Sequence, residues 1–175
     1  PLISRFGKVQ VSLPGGCAWG PRPVDYHLKG LEKLGANLDL EGGNILAEAN
    51  ELIGCDIHFE FPSVGATGNL AMAAVKAKGT TRLFNCAKEP EIIQLCEFLN
   101  SMGSNIKGIG TDSLIIEGVK KLNQADITVI PDRIEAGTFL MVGALNGEIK
   151  ITNVIPLHLE KVTDKLIETG CQIII

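Results

Sequence analysis

The sequence has no long apolar run and no block of like charge. No apolar stretch approaches the roughly 18 residues that a membrane-spanning helix requires, and no charged segment followed by an apolar one opens the chain as in a secretory signal. The net charge of −4, spread along the chain, argues against a nucleic-acid backbone as partner. We therefore expect a soluble protein with neither membrane nor nucleic-acid partners.

Paired cysteines are also missing. The five cysteines are an odd number, widely spaced and without a C-x-x-C pair, which favours a reducing compartment over a disulfide framework: Cys17, Cys55, Cys86, Cys96 and Cys171. The three histidines, likewise, have no ligand spacing to one another or to the cysteines: His27, His58 and His158. We predict a cytoplasmic protein without a metal site.

Three segments that resemble helix ends recur along the chain. They are spaced 68 and 67 residues apart and each ends at a glycine: 31–35, 99–103 and 166–170. The helix that each segment ends is predicted to start near a proline, Pro23, Pro90 or Pro156, as expected for Pro at a helix start and Gly just past its end. A strand is predicted after each one, at 37–40, 105–109 and 171–175. At 175 residues and 45% hydrophobic composition, the chain can bury a core as one domain or two small ones.

A second pair of helices repeats as well. One is predicted from Pro62-Ser63 to Gly79 and the other from Pro131-Asp132 to Gly147, each after a strand, at 57–61 and 127–130. Hairpins are predicted between 38–40 and 45–47, and between 106–109 and 114–116. Copied units of strand, helix, strand, helix and one or two strands explain this self-similarity.

Hydrophobic patterning indicates which elements are buried. Strand segments alternate apolar and polar residues, so one sheet face is predicted to face water: Val9 to Leu13, Ile57 to Phe61 and Ile149 to Ile151. The helical segments 70–75 and 139–145 are instead apolar on nearly every side, which is typical of a buried helix. We predict an α/β protein of α+β type, with mixed sheets outside and helices inside.

The loop around Cys17 is the first candidate site. Pro14, Gly15 and Gly16 precede the cysteine, and a second Gly-Pro cluster follows it, so the thiol is predicted to lie on an irregular loop with Arg22 nearby. An arginine favours a reactive thiolate, but most free cysteines are inert core residues. Local chemistry leaves both interpretations open.

Two predicted helix starts are further candidates. The free amides at Ser63-Val64-Gly65 form a potential anion site, although ordinary capping by Ser63 explains the same residues. Arg22 can bind a phosphate or can simply be solvated at the entry of a helix. At the third start, Asp132 can be an N-cap followed by Arg133.

Four ordered motifs together resemble a known family. They are Arg5 to Asp25, with its Pro-Gly-Gly-Cys segment, then 62–67, 89–92 and 131–138, so the match spans almost the whole chain. These motifs are similar to the UDP-N-acetylglucosamine 1-carboxyvinyltransferases, a family of enolpyruvyl transferases. This resemblance implies repeated units in an inside-out α/β architecture of two lobes, with residues 1–129 in one lobe and 130–175 opening the second.

The resemblance also implies an activity and its residues. The reaction would transfer the enolpyruvyl group of phosphoenolpyruvate to the 3-hydroxyl of UDP-N-acetylglucosamine with release of phosphate, without a cofactor, as the first committed step of peptidoglycan synthesis. Cys17 would be the catalytic thiol and the target of fosfomycin. The sugar nucleotide would be bound by two segments: Arg22, Pro23, Val24, Asp25 and Tyr26, and Pro62, Ser63, Val64 and Gly65. Asp132 and Arg133 would lie at the cleft.

Three residues and the length of this chain differ from what is usual in the family. Trp19, Pro21 and Phe61 depart from the residues more usual in the family, and the last removes a basic side chain that many members have. Complete members are more than twice as long, so we expect this chain to be an internal piece that is inactive alone. Two alternatives remain: a related transferase acting on shikimate 3-phosphate, and a non-catalytic repeat module in which Cys17 is structural.

Overall fold

The chain forms two compact units. A computed structural model describes residues 1–16, 18, 20 and 23–175. The N-terminal unit comprises Pro1–Ile127 and the C-terminal unit comprises Thr128–Ile175. No helix in these described ranges is both long and apolar enough to cross a membrane.

The N-terminal unit contains four helices and seven strands among its described residues. The helices are α1 (Leu2–Phe6), α2 (Asp25–Lys33), α3 (Val64–Ala74) and α4 (Pro90–Ser101). The strands are β1 (Lys8–Ser12), β2 (Asn37–Glu41), β3 (Asn44–Glu48), β4 (Asp56–His58), β5 (Thr80–Phe84), β6 (Asn105–Lys107) and β7 (Ser113–Glu117).

The first sheet has the order β1-β3-β2, with antiparallel pairing throughout. The predicted hairpin between 38–40 and 45–47 is confirmed, because Leu38 pairs with Ala47 and Leu40 with Ile45. Two glycines with positive φ, Gly42 and Gly43, make the tight turn between β2 and β3.

The second sheet has the order β4-β5-β7-β6. Its first pair, β4 and β5, is parallel with α3 as the connection, and its other pairs are antiparallel. The predicted hairpin near 106–116 is confirmed by the pairing of Ile106 with Ile116. The sequence β4-α3-β5-α4-β6-β7 is the predicted strand, helix, strand, helix, strand, strand unit.

The two sheets share one topology. β1, α2, β2 and β3 follow one another as β5, α4, β6 and β7 do, and β3 lies between β1 and β2 as β7 lies between β5 and β6. The helices α2 and α4 are followed by glycines with positive φ, Gly35 and Gly103. The internal repeat inferred from the spacing of helix ends is therefore a repeat of structure.

Helix α3 lies at the centre of the N-terminal core. Leu70, Ala71, Ala73 and Ala74 have no exposed surface, and Val75 is almost fully buried. α2 and α4 contact α3, while Arg82 and Ile115 on the outer face of the second sheet are exposed. The predicted arrangement, a buried helix with one sheet face in water, is confirmed in this unit.

The C-terminal unit is helical. It contains α5 (Arg133–Asn146), a 3-10 helix (Pro156–Leu159) and α6 (Glu160–Glu168). Strands predicted at 127–130, 149–151 and 171–175 are wrong, because none of these described segments is a strand. A strand exists only by pairing with another strand, and no strand within the described ranges pairs with them. Ile149 packs instead on α5, where its side chain overlies Gly143.

The predicted burial of 139–145 is also wrong in this chain. Phe139, Met141 and Leu145 on α5 are 49%, 52% and 84% exposed, although α6 and the 3-10 helix cover part of the same helix. An apolar pattern on all sides indicates burial only where elements are available to pack on every side. The C-terminal unit supplies packing partners for one side of α5.

Three predicted helix boundaries need correction. α2 begins at Asp25 rather than Pro23, and α3 ends at Ala74, before Gly79. Pro156 begins the 3-10 helix, and α6 follows it at Glu160. By contrast, Pro90 is the first residue of α4, and Ser63 and Asp132 are the N-caps of α3 and α5.

Candidate functional site

Four residues of the predicted loop site lie outside the described residues: Cys17, Trp19, Pro21 and Arg22. The roles of Cys17 and Arg22 therefore stay predictions. The rest of the predicted sugar-nucleotide site, Pro23 to Tyr26 and Pro62 to Gly65, is described.

Ser63 starts α3 as a capping residue. Its backbone is extended and its hydroxyl accepts a hydrogen bond from the Ala66 amide at 3.3 Å. Because the cap engages the amide of Ala66, it leaves the earlier amides of Val64 and Gly65 to other acceptors. Capping and ligand binding at this helix start are thus compatible.

The loop after β5 forms hydrogen bonds with the residues that precede α3. Asn85, with φ of 58°, donates from its side-chain amide to the carbonyls of Phe59 and Glu60 at 3.0 and 3.3 Å. Asn is one of the few residues other than Gly that tolerates this left-handed backbone. The buried Thr67 hydroxyl accepts from the Ala87 amide at 3.1 Å and joins the same loop to α3.

The start of α2 is held in place by a contact with the residue that follows β4. Val24 is the N-cap of α2 without a side-chain cap bond, and Asp25 forms an exposed ion pair with Lys29. The Tyr26 ring packs edge-on against buried Phe59, with ring centroids 6.2 Å apart and an interplanar angle of 74°. Phe59 directly follows β4, so this contact ties the start of α2 to the strand that leads into α3.

His27 joins the two predicted substrate segments. Asn69 on α3 lies with its side-chain amide nitrogen 3.0 Å from Nδ1 of His27. A Cβ atom placed on Gly65 would lie 3.4 Å from both Cε1 and Nε2 of the same ring. The structure therefore brings His27, which directly follows residues 23–26, beside Gly65 in the first turn of α3.

Sequence reasoning missed His27 and Asn69. The sequence pattern offers His27 only as a possible metal ligand, and Asn69 directly precedes the apolar helical segment 70–75. Two features of the sequence indicate the pair: His27 directly follows the Arg22 to Tyr26 segment, and Gly65 and Asn69 are four residues apart on one helix face.

Electrostatics favour an anion at the start of α3. Its first turn has no acidic residue, whereas α2, α4, α5 and α6 each have one there. The positive end of the α3 dipole is thus not offset by a carboxylate of its own turn. Burial lowers the pKa of His27, Asp25 partly offsets that effect, and the N-terminal amino group adds to it, so the ring is neutral at pH 7.

The candidate cleft residues belong to the C-terminal unit. Asp132 caps α5 by accepting from the amides of Ile134 and Glu135 at 2.8 and 3.3 Å. Asp132 and Arg133 border a hollow with Ala136 and His158 that is too small for a water molecule. Within this unit Asp132 has a structural role, and its place at a substrate cleft stays a prediction.

The described cysteines differ from a reactive loop thiol. Cys86 and Cys96 are buried, and desolvation raises the pKa of each to about 11, with smaller opposing and reinforcing contributions from neighbours. Burial also raises the pKa of Cys55. Among the described residues, no group of three or more His, Cys, Asp or Glu side chains is placed to hold a metal ion.

Comparison with solved structures defines the class of fold. The chain superposes on the crystal structure of the enolpyruvyl transferase NikO from Streptomyces tendae with a TM-score of 0.80 and 21% identity, over 99% of this chain and 43% of the other. EPSP synthase from Acinetobacter baumannii matches 82% of this chain and 33% of its own, with a TM-score of 0.62 and 23% identity. The protein has an enolpyruvyl transferase fold.

Sequence comparison defines the family. The chain belongs to the EPSP synthase (3-phosphoshikimate 1-carboxyvinyltransferase) family, whose model matches residues 1–174. It is 53% identical over 174 residues to the UDP-N-acetylglucosamine 1-carboxyvinyltransferase of Desulfosudis oleivorans, and 52% identical to that of Clostridium botulinum. These alignments cover 99% of this chain and 42% of each relative. The predicted resemblance to carboxyvinyltransferases is confirmed.

Proposed function

We propose that this chain is the sugar-nucleotide-binding part of a UDP-N-acetylglucosamine 1-carboxyvinyltransferase. The complete enzyme transfers the enolpyruvyl group of phosphoenolpyruvate to the 3-hydroxyl of UDP-N-acetylglucosamine and releases phosphate, in the cytoplasmic first committed step of peptidoglycan synthesis. The observation that carries the proposal is the contact of His27, which directly follows residues 23–26, with Gly65 at the start of α3 and with Asn69 one turn further on.

The chemistry of this contact suits a diphosphate. The uncompensated α3 terminus offers amides and a positive dipole end, and Arg22 in the neighbouring segment adds a planar cation that can donate two parallel hydrogen bonds. The 52–53% identity to relatives with this name supports the sugar nucleotide as the substrate.

The reaction requires a proton at the alkene and a closed site. The 3-hydroxyl oxygen bonds to C2 of phosphoenolpyruvate and gives up its own proton to a general base, while C3 gains a proton from the general acid. Elimination of phosphate with loss of a proton from C3 then restores the double bond. Cys17 is the proposed general acid on the loop after β1. Closure of that loop would keep water from the cationic species that precedes bond formation.

A phosphate-release assay on the full-length protein that contains this segment tests the proposal. Release should require both phosphoenolpyruvate and UDP-N-acetylglucosamine and should be lost in Cys17→Ala. Release that depends on shikimate 3-phosphate instead would favour the alternative substrate suggested by the family model. No release with either acceptor would overturn an enzymatic role.

Calorimetry on the 175-residue chain isolates the binding part of the proposal. The chain should bind UDP-N-acetylglucosamine weakly, release no phosphate by itself, and lose affinity in Arg22→Ala. Lys33→Ala, an exposed substitution at the other end of α2, is the matched control. An affinity unchanged by Arg22→Ala would remove the phosphate-binding role of that residue.

A further inference from the structure

We propose that the N-terminal unit has a second binding site, for a small phosphate-bearing anion, in a surface hollow between α1 and the segment that follows β3. The hollow has a volume of about 190 Å³. β1 begins beside it at Lys8 and ends at Ser12, before the loop that carries Cys17. The hollow therefore lies at the opposite end of β1 from the predicted catalytic loop. The polar residues that line it are Ser4, Arg5, Asn50, Glu51 and Lys76.

The internal repeat shows which residues of its two copies are equivalent here. α1 leads through Gly7 into β1 as the end of α3 leads through Gly79 into β5, and both glycines have positive φ. The amide of Ala49, directly after β3, donates to the Gly7 carbonyl at 2.8 Å. The amide of Gly118, directly after β7, donates to the Gly79 carbonyl at 2.9 Å. The two copies can therefore be aligned from these bonds.

One equivalent pair of side chains differs in length. Counted from the two glycines, Ser4 corresponds to Lys76, and counted from the two bonded amides, Glu51 corresponds to Lys120. In the second copy the Lys76 ammonium donates to the Lys120 carbonyl, so it joins the helix end to the chain after the last strand. The Ser4 hydroxyl instead donates to the Pro1 carbonyl at 2.7 Å. The hollow thus lies where the second copy has a bridging lysine and the first has a short serine.

The charges at the hollow favour an anion. The Glu51 carboxylate forms an ion pair with Lys78, with 3.7 Å between oxygen and nitrogen, so a neighbouring cation already offsets it. Lys76 donates to a carbonyl, a neutral acceptor that leaves its positive charge in place. Arg5 contributes a guanidinium whose central carbon lies 5.5 Å from the centroid of the Phe6 ring. Two cations therefore line a hollow whose carboxylate is already paired.

A phosphate group suits these donors. A guanidinium can donate two parallel hydrogen bonds to it, an ammonium adds a point charge, and the Asn50 amide adds a neutral donor. The volume exceeds that needed for one water and is below the range of about 300–1,000 Å³ that is typical of drug-sized ligands. Free phosphate or a small phosphorylated molecule is therefore the ligand class, rather than a nucleotide sugar.

Ser4→Lys is the most informative variant, because it adds a positive charge and yet should remove anion binding. Its side chain can bridge to the Glu51 carbonyl, as Lys76 bridges to that of Lys120, and would then occupy the hollow. Gln10→Lys is the matched control, since it adds the same charge at an exposed position of β1 outside the lining of the hollow. Non-specific attraction alone would strengthen phosphate binding in both variants.

NMR titration of the full-length protein with inorganic phosphate measures both the place and the affinity of binding. In the wild type the amide signals of Gly7 and Asn50 should shift and saturate. Arg5→Gln should weaken this binding about tenfold, as for one lost hydrogen bond to an anion. Ser4→Lys should abolish the shifts, and Gln10→Lys should keep the affinity within about twofold, because an exposed distant charge acts weakly.

Glycerol phosphate, titrated in the same way, distinguishes the two sources of the ligand. Tighter binding than that of inorganic phosphate would assign the site to a phosphorylated small molecule, and weaker binding would assign it to free phosphate. The site is supported in both cases, because each result requires the same residues. The readout does not involve enolpyruvyl transfer, so the test holds whether or not the proposed function is correct.

Two results would overturn the inference. The first is an absence of saturable shifts at Gly7 and Asn50 with both ligands, and the second is binding that persists unchanged in Ser4→Lys. Urea unfolding checks that Ser4→Lys is as stable as the wild type, as expected if the lysine bridges as it does in the second copy. If that variant does not fold, an unchanged phosphate affinity in Arg5→Gln is sufficient to reject the site.

Discussion

Gly30 of α2 lies directly over Leu70 of α3. A Cβ atom on Gly30 would be 2.8 Å from Cδ2 of Leu70 and closer still to Cδ1, while Leu70 has no exposed surface. The absence of a side chain at Gly30 therefore permits the close approach of the two helices that hold His27 and Asn69. A glycine in mid-helix, normally destabilising, is favoured here by packing.

Gly30→Ala should destabilise the protein. Overpacking against a buried leucine costs about 1–3 kcal/mol, and the better helix propensity of Ala returns about 1 kcal/mol, so the net loss should reach up to about 2 kcal/mol. Urea unfolding followed by circular dichroism measures it. Gly15→Ala is the control, because its Cβ would meet no atom within 4 Å. A Gly30→Ala penalty that does not shrink in a Leu70→Ala background would contradict the stated contact.

Ser63→Ala should lower the free energy of unfolding by about 1 kcal/mol through loss of the α3 cap. Ser63→Asn should recover most of it, since its side-chain oxygen can accept from the same amide. The unfolding midpoints of the three proteins provide the comparison. Equal midpoints for Ala and Asn would show that the 3.3 Å bond to Ala66 contributes nothing.

Cys17 should be alkylated before the other four thiols. The thiolate is the reactive species, and burial keeps Cys86 and Cys96 protonated, with pKa values of about 11. Peptide mapping after limited iodoacetamide treatment identifies the modified residue. Faster modification of Cys86 or Cys96 than of Cys17 would refute the assignment of the loop thiol.

Stability should fall in alkali because of the same two buried thiols. Their pKa rises from 9.0 in the unfolded chain to about 11 in the fold, so above pH 9 the unfolded state binds fewer protons than the folded state. The stabilisation is fully present below pH 9 and is lost as pH rises through about 11. Unfolding of Cys96→Ala should depend less on pH over this interval than unfolding of the wild type.

Leu70 and Phe139 should respond differently to truncation. They occupy equivalent positions of the repeat, counted from Pro62 and Pro131, but Phe139 is 49% exposed. Leu70→Ala should cost about 2–5 kcal/mol, and Phe139→Ala should cost about 1 kcal/mol or less. Chemical denaturation of the two variants measures the difference. Similar losses would indicate that the exposed face of α5 is covered in solution.

Local patterns predicted the local parts of the fold. The β2–β3 hairpin follows from two alternating segments around Gly42-Gly43, and the starts of α3 and α5 follow from Ser63 and Asp132 as capping residues. Each of these features depends on residues close together in the chain, so one sequence is sufficient to find it.

Features that depend on distant partners were not predicted. The segment 171–175 has an ideal strand composition, yet it has no neighbouring strand among the residues that the structure describes and forms none. The His27–Asn69 bond joins residues 42 positions apart, and no local pattern specifies that they meet. The site was predicted as two separate segments, and only the packing of α2 on α3 shows what joins them.

The shared topology of the two sheets has a consequence for the order of folding. In each sheet one hairpin, β2–β3 or β6–β7, closes over a short loop. The third strand, β1 or β5, is separated from that hairpin by a whole helix and pairs with it over a longer loop. Hairpins form in about 1–10 μs, and longer loops close at a greater entropic cost. We therefore expect each sheet to nucleate at its own hairpin. The parallel β4–β5 pair is connected through α3, so we expect it to form late and to join the predicted nucleotide-binding helix start to a sheet already in place.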